Sequence, residues 1–120
     1  DAVRELLAEA AAANTTRSYA SALRYWAGWY AARYGLELTL PVPEAVVLQF
    51  VVDHVVRRSA EGDLAWELPP AVDSALVAAG LKAKPGPWTL ASVRHRVAVL
   101  STAHRLKQQP NPCEQPAVRT

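Results

Sequence analysis

The aromatic residues of segment 14–30, NTTRSYASALRYWAGWY, stand at the spacing of an α-helix. Tyr19, Leu23, Trp26 and Tyr30 succeed one another at intervals of four, three and four, which at about 100° per residue sets them along one side. Ala22, Trp29 and Arg33 flank that side. An aromatic stripe of this kind has to be covered by another layer of structure, and the rest of the chain supplies helices to cover it.

Segment 2–13 is rich in alanine, leucine and glutamate, all strong helix formers. Asn14, Thr15 and Thr16 then offer N-caps for a second helix, predicted to run to about Tyr34 and to stop at Gly35. Segment 38–44, LTLPVPE, is a loop, with Pro43 suited to the first turn of a third helix. That helix, 44 to about 58, is apolar nearly all round and is expected at the centre of the fold. SAEGD breaks it. A short helix is predicted over 68–80, with prolines at its start and a glycine at its end, and KAKPGPW at 82–88 is a loop. Thr89 caps a long last helix to about Gln108, and the proline-rich tail PNPCEQPAVRT is expected to wrap the surface as turns. Strand signals are weak, because the valine runs lack flanking turn residues of the Asn-Gly type. The fold class is therefore all-α, a bundle of four to five helices.

With 120 residues the chain builds one domain with one modest core. No apolar run approaches the roughly 20 residues that span a bilayer. The longest, AVVLQFVV, is interrupted by Gln49. The first residues, DAVRELLAEAAAAN, are charged and alanine-rich, unlike a signal peptide. The single cysteine, Cys113, excludes an intrachain disulfide and fits a reducing cytosol, so a cytoplasmic protein is expected.

A formal charge of +2 does not announce a nucleic-acid binder, so the argument turns on where the charges sit. Arg17, Ser21, Arg24 and Gly28 share a face of the second helix distinct from the aromatic stripe, with Asn14 and Ser18 beside them. The last helix repeats the design. Leu90, Val93, Val97, Leu100 and His104 make its apolar stripe. Ala91, Arg94, His95, Ala98, Ser101, Thr102 and Arg105 make a separate face, while Arg96 and Lys107 lie on a third side. Neither polar face carries an acid; Glu5, Glu9, Glu44, Asp53, Glu61, Asp63, Glu67 and Asp73 all lie elsewhere. Arginine, histidine and hydroxyl donors are what phosphate oxygens and base edges accept from. Alanines and a glycine let a helix backbone approach a surface closely.

Other chemistries find little support. The four tyrosines, Tyr19, Tyr25, Tyr30 and Tyr34, fall in one helix, mostly on its apolar side. His54, His95 and His104 share no metal-ligand spacing, and Cys113 is alone, so no metal site and no cofactor are expected. KAKPGPW, with Gly86 alone, is no phosphate-cradling loop. His104 continues an apolar stripe and is expected as a satisfied core histidine.

Four pieces of the chain, in order, resemble the core-binding domain of tyrosine recombinases, the phage integrases. NTTRSYASALRYWAGWY resembles that family's opening helix motif, with its Trp-x-x-Trp pair. LPVPEAVVLQFVVDHV looks like the proline-marked loop and helix that come next. TLASVRHRVAVLSTAHR resembles the last long helix, and PNPCEQPAVR is similar to the Asn-Pro turn before the catalytic domain. The resemblance covers nearly the whole chain and implies a SAM-like orthogonal helical bundle. It implies an N-terminal helix at 1–13, a core-binding domain at 14–109 and, at 110–120, the start of a linker to a catalytic domain. The segment 59–88 departs from compact members as an insert.

The implied function is to grip double-stranded DNA as one jaw of a clamp in DNA integration and recombination, in a bacterium or mobile element, at the nucleoid when bound. The implied partners are DNA, the catalytic domain of the same chain and other recombinase subunits, with no membrane. The implied DNA contacts are Thr15, Thr16, Arg17, Ser18, Ser21 and Arg24 from one helix and Arg94, His95, Ser101 and Arg105 from the other. Lys82, Lys84 and Trp88 would join them from the loop. The family's catalytic residues belong to the other domain, so no catalysis is expected of this chain. The alternative is a protein-interaction domain for subunit assembly, to which the alanine-faced segment DAVRELLAEAAAAN is suited.

Overall fold

The computed structural model describes the backbone of residues 2–119 and the side chains of residues 17–118. The chain is mostly helical. α1 (Ala2–Tyr34) is followed by α2 (Glu44–His54), a hairpin of two short strands, β1 (Arg57–Arg58) and β2 (Leu64–Ala65), then α3 (Pro70–Ala78) and α4 (Leu90–Leu106). A 3-10 turn (Pro112–Glu114) and a last short helix, α5 (Pro116–Arg119), close the chain. The break expected at Asn14–Thr16 is not made: α1 runs through it.

Local chemistry sets most of the other boundaries. Gly35, at φ +70°, ends α1 in the left-handed region, and its N–H donates to the Ala31 carbonyl. Pro43, extended, precedes α2, whose first turn carries Glu44 at the favourable end of the helix dipole. Pro69 and Pro70 start α3. Thr89 caps α4, its hydroxyl oxygen accepting from the Ser92 N–H.

Two boundaries differ from expectation. α2 stops at His54 with Val55 as its extended C-cap, and of the residues expected to extend it to 58, Arg57 and Arg58 instead form β1. SAEGD is the turn of the hairpin, with the Ser59 N–H donating to the Asp63 carbonyl at 2.6 Å. Arg57 pairs with Ala65 and Arg58 with Leu64, antiparallel. Segment 59–88 is thus half a hairpin, a short helix and a loop that returns the chain to α4.

The core forms where α1 crosses α2, α3 and α4. Trp26 stacks on Phe50 with ring centroids 3.8 Å apart and planes 17° apart. Trp29 meets both rings edge-on. Val47, Leu76, Val93 and Leu100 close around them. The buried arc of α1 is Ala22, Tyr25, Trp26 and Trp29. It is turned from the expected stripe, and Tyr19, Leu23 and Tyr30 lie half-buried at its margin. The turn has a polar cause. Tyr25 points inward to hydrogen-bond His54, and Trp29 to reach Asp53. In α4 the buried residues are Val93, Val99, Leu100, Ala103 and His104, while Leu90 in the first turn remains 47% exposed.

Candidate nucleic-acid interface

α1 and α4 pack against each other, and the contact is made by the residues that flank their cationic faces. The Trp26 indole N–H donates to the Arg96 carbonyl at 2.9 Å. At the surface, the Ser18 hydroxyl and His95 Nε2 share a hydrogen bond at 3.1 Å. Two faces argued separately from periodicity therefore become one surface. Arg17, Ser18, Ser21 and Arg24 are exposed on α1, and Arg94, His95 and Arg105 on α4. Toward the end of α4, Arg105 donates to the hydroxyl oxygens of Ser101 and Thr102, and Asn111 donates to Ser101 at 2.7 Å. Ser101 thereby accepts twice and keeps its own O–H as a donor. Thr15 and Thr16 lie outside the residues whose side chains are described.

Two expectations are corrected, those for Lys82 and Gly28. Lys82 does not face outward: its ammonium is buried, donating to Asp73 at 2.6 Å and to the Gly86 carbonyl at 2.6 Å. The Gly86 N–H completes the knot by donating to the other Asp73 oxygen. Burial pushes the Asp73 carboxyl up, but these donors outweigh it and hold the carboxyl below its ordinary range. Lys82 thus staples the loop to α3, and Lys84 alone remains the loop's exposed cation. Gly28 makes room for the segment that follows α3 rather than for a ligand, since a Cβ there would collide with Leu81 Cδ1. Trp88 is half-buried between the His54 ring, 4.6 Å away and nearly parallel, and the Arg96 guanidinium.

Several polar residues within the core were not singled out from sequence. Asp53 is fully buried and accepts from Trp29 Nε1 at 2.9 Å, Arg33 Nε at 3.0 Å and Gln49 Nε2 at 2.7 Å. A signal existed: an acid in the last turn of a helix that is otherwise mostly apolar must find donors if that helix is central. His54 Nδ1–H donates to the Phe50 carbonyl, and its Nε2 accepts from the Tyr25 hydroxyl at 2.6 Å. Burial is the main force lowering the His54 pKa to about 4, and burial pushes the Tyr25 phenol far up. His104 is fully buried and satisfied as expected, accepting from the Val42 N–H at 2.9 Å and donating to the Leu100 carbonyl. It pins the loop 35–43 to α4.

Among the described residues, no group of three or more histidines, cysteines or acids is placed to hold a metal ion. Cys113 is buried, and burial pushes its thiol up to about 11, which leaves it a poor nucleophile. No helix among the described residues is long and apolar enough to cross a membrane. What the surface offers chemically is a set of guanidinium, imidazole and hydroxyl donors on two adjoining helices. Comparison of the chain with protein-family models, with curated proteins and with solved structures finds no match.

Proposed function

We propose that this chain is a duplex-DNA-binding domain of the kind found as the core-binding domain of tyrosine recombinases, non-catalytic by itself, with its helices forming a SAM-like orthogonal bundle. One observation carries the reading. The acid-free faces of α1 and α4 adjoin and are bridged by Ser18 and His95. Arg17, Ser18, Ser21, Arg24, Arg94, His95 and Arg105 are exposed on these two helices. On this reading the arginines bind mainly phosphate and give an affinity that falls with salt. Arg94 and His95, at the exposed middle of the surface, supply what base-edge contact there is.

Fluorescence anisotropy of a labelled random duplex of about 30 base pairs, titrated at two salt concentrations, tests the reading. Wild-type binding should fall with salt, and an Arg17→Ala/Arg94→Ala double variant should lose it while remaining folded. Salt-independent binding, or equal binding by the variant, would sink the proposal. Subunit assembly is the second reading. It is favoured by a mostly apolar groove of about 480 Å³ lined by Leu48, Val51, Leu90, Val97 and Val118, with Arg94 and Ser101 also at its wall. Concentration-dependent self-association in sedimentation runs, without DNA binding, would select it.

A further inference from the structure

A half-buried arginine without a carboxylate partner sits where the two cationic helices meet. The Arg96 guanidinium carbon lies 4.0 Å from the centroid of the Trp88 ring and 5.6 Å from that of Tyr25. Its Nε is closed off from solvent and has no acceptor. Its Nη1 reaches only the Ser92 carbonyl, at 3.4 Å, which is long for such a bond. None of the ion pairs among the described residues involves it. The buried carboxylates are taken, Asp73 by Lys82 and Gly86, and Asp53 by Trp29, Arg33 and Gln49.

Folding alone is a weak reason for this arrangement. Burying part of a cation while leaving its Nε–H unfilled costs stability, and an apolar side chain would cover Trp88 without that cost. A guanidinium laid over an indole face is instead held in place by the ring, and with Nε sealed it is the Nη donors that are left to meet an oxyanion. The position is also telling. The carbonyl of Arg96 takes the Trp26 indole N–H at the α1–α4 crossing, and the adjacent His95 is bonded to Ser18. Arg96 therefore stands between the cationic surface and the loop that carries Lys84.

We propose that Arg96, held against Trp88, is an oxyanion-contacting residue at the seam of α1 and α4, and that its ligand is a backbone phosphate of duplex DNA. The proposal deepens the DNA-binding reading and rests on it. The side-chain Nε–H resonance of Arg96 in ¹⁵N-labelled protein is followed during titration with the duplex and, separately, with inorganic phosphate against sodium chloride of equal ionic strength. Arg96→Lys and Arg96→Gln are measured alongside by anisotropy, with circular dichroism to check folding. The duplex should shift the Arg96 resonance. Arg96→Gln should weaken binding about tenfold and reduce the slope of log K against log salt by about 1. Arg96→Lys, which keeps the charge without the fork or the stack, should keep the slope but not the affinity.

A folded Arg96→Gln protein with wild-type affinity and slope would overturn the Arg96 proposal and leave DNA binding standing. Should Arg96→Gln not fold, an Arg96 resonance unmoved by saturating duplex would overturn it instead. If the wild-type chain binds no duplex, the DNA reading fails as a whole. The phosphate titration then decides whether an oxyanion contact exists at Arg96 at all.

Discussion

Asp53 has no exposed surface, and donors from three residues converge on its carboxylate. Removing it strands the Trp29 indole N–H in the core and leaves Arg33, only 25% exposed, without its counter-charge. Asp53→Ala should therefore cost about 3–5 kcal/mol in urea denaturation, against a smaller loss for Asp53→Asn, which keeps an acceptor. Its neighbour His54 sets a pH dependence. The folded pKa is lowered to about 4 from 6.5, chiefly by burial, so the unfolded chain takes up the proton first. Stability should be full above about pH 6.5 and fall as pH drops toward 4, by about 3 kcal/mol in all. Asp73, whose pKa is lowered below 3.8, adds its loss only at more acid pH. Denaturation curves between pH 7 and 4 should slope for the wild type and flatten for His54→Gln. These residues mark where sequence reasoning stops at this scale. His104 was legible because it continues a helical stripe. Lys82 read as an outward-facing contact, and Asp53 only as one of the acids off the cationic faces, because most charges face solvent. The contact that answers Asp53 comes from Arg33, twenty residues away in another helix, and the one that answers Lys82 comes from Asp73 in α3.

The elements whose ends depend on neighbouring backbone were legible: Gly35, Pro43, the Pro69–Pro70 pair and Thr89 each act through their own φ or hydroxyl. The misses are elements whose existence depends on partners. Asn14, Thr15 and Thr16 are good caps, but a cap is used only where a helix begins, and the alanine-rich residues before them continue into α1 at a small propensity cost. The hairpin has strands of two residues each, too short to show alternation. Gly28 belongs to the same class, since its role appears only once the end of α3 is laid on α1. Its missing side chain lets Leu81 seat against the helix, and Leu76 lies just beyond. Gly28→Ala should be nearly neutral, because the terminal methyl of Leu81 can turn aside while the helix gains about 1 kcal/mol of propensity. Gly28→Leu overfills the crossing and should cost about 1–3 kcal/mol. Pairing it with Leu81→Ala should recover part of that loss, and a thermal-melting cycle over the four proteins checks the coupling.

At the scale of the whole molecule, charge placement rather than total charge carries the proposed function. The chain has 13 basic and 11 acidic residues, a net of +2, which is too small to hold DNA by overall attraction. Among the residues whose side chains are described, however, neither α1 nor α4 carries an acid. One acid is buried with Arg33, another with Lys82, and Glu67 is paired with Arg57 at the hairpin. If about four phosphates are neutralised, affinity should fall roughly 100-fold between 50 and 200 mM salt. Location can be separated from net charge by two substitutions that alter the total equally. Arg24→Glu and Arg57→Glu each take the net charge from +2 to 0. Arg24 is exposed on α1, whereas Arg57 belongs to β1 and pairs with Glu67. On the proposed reading Arg24→Glu should reduce duplex affinity more than tenfold, since it would remove a contact and add a repulsion on the proposed face. Arg57→Glu should change it no more than about twofold. Equal losses in the two variants would mean that the duplex responds to total charge, and the α1–α4 surface would have no claim to be the interface.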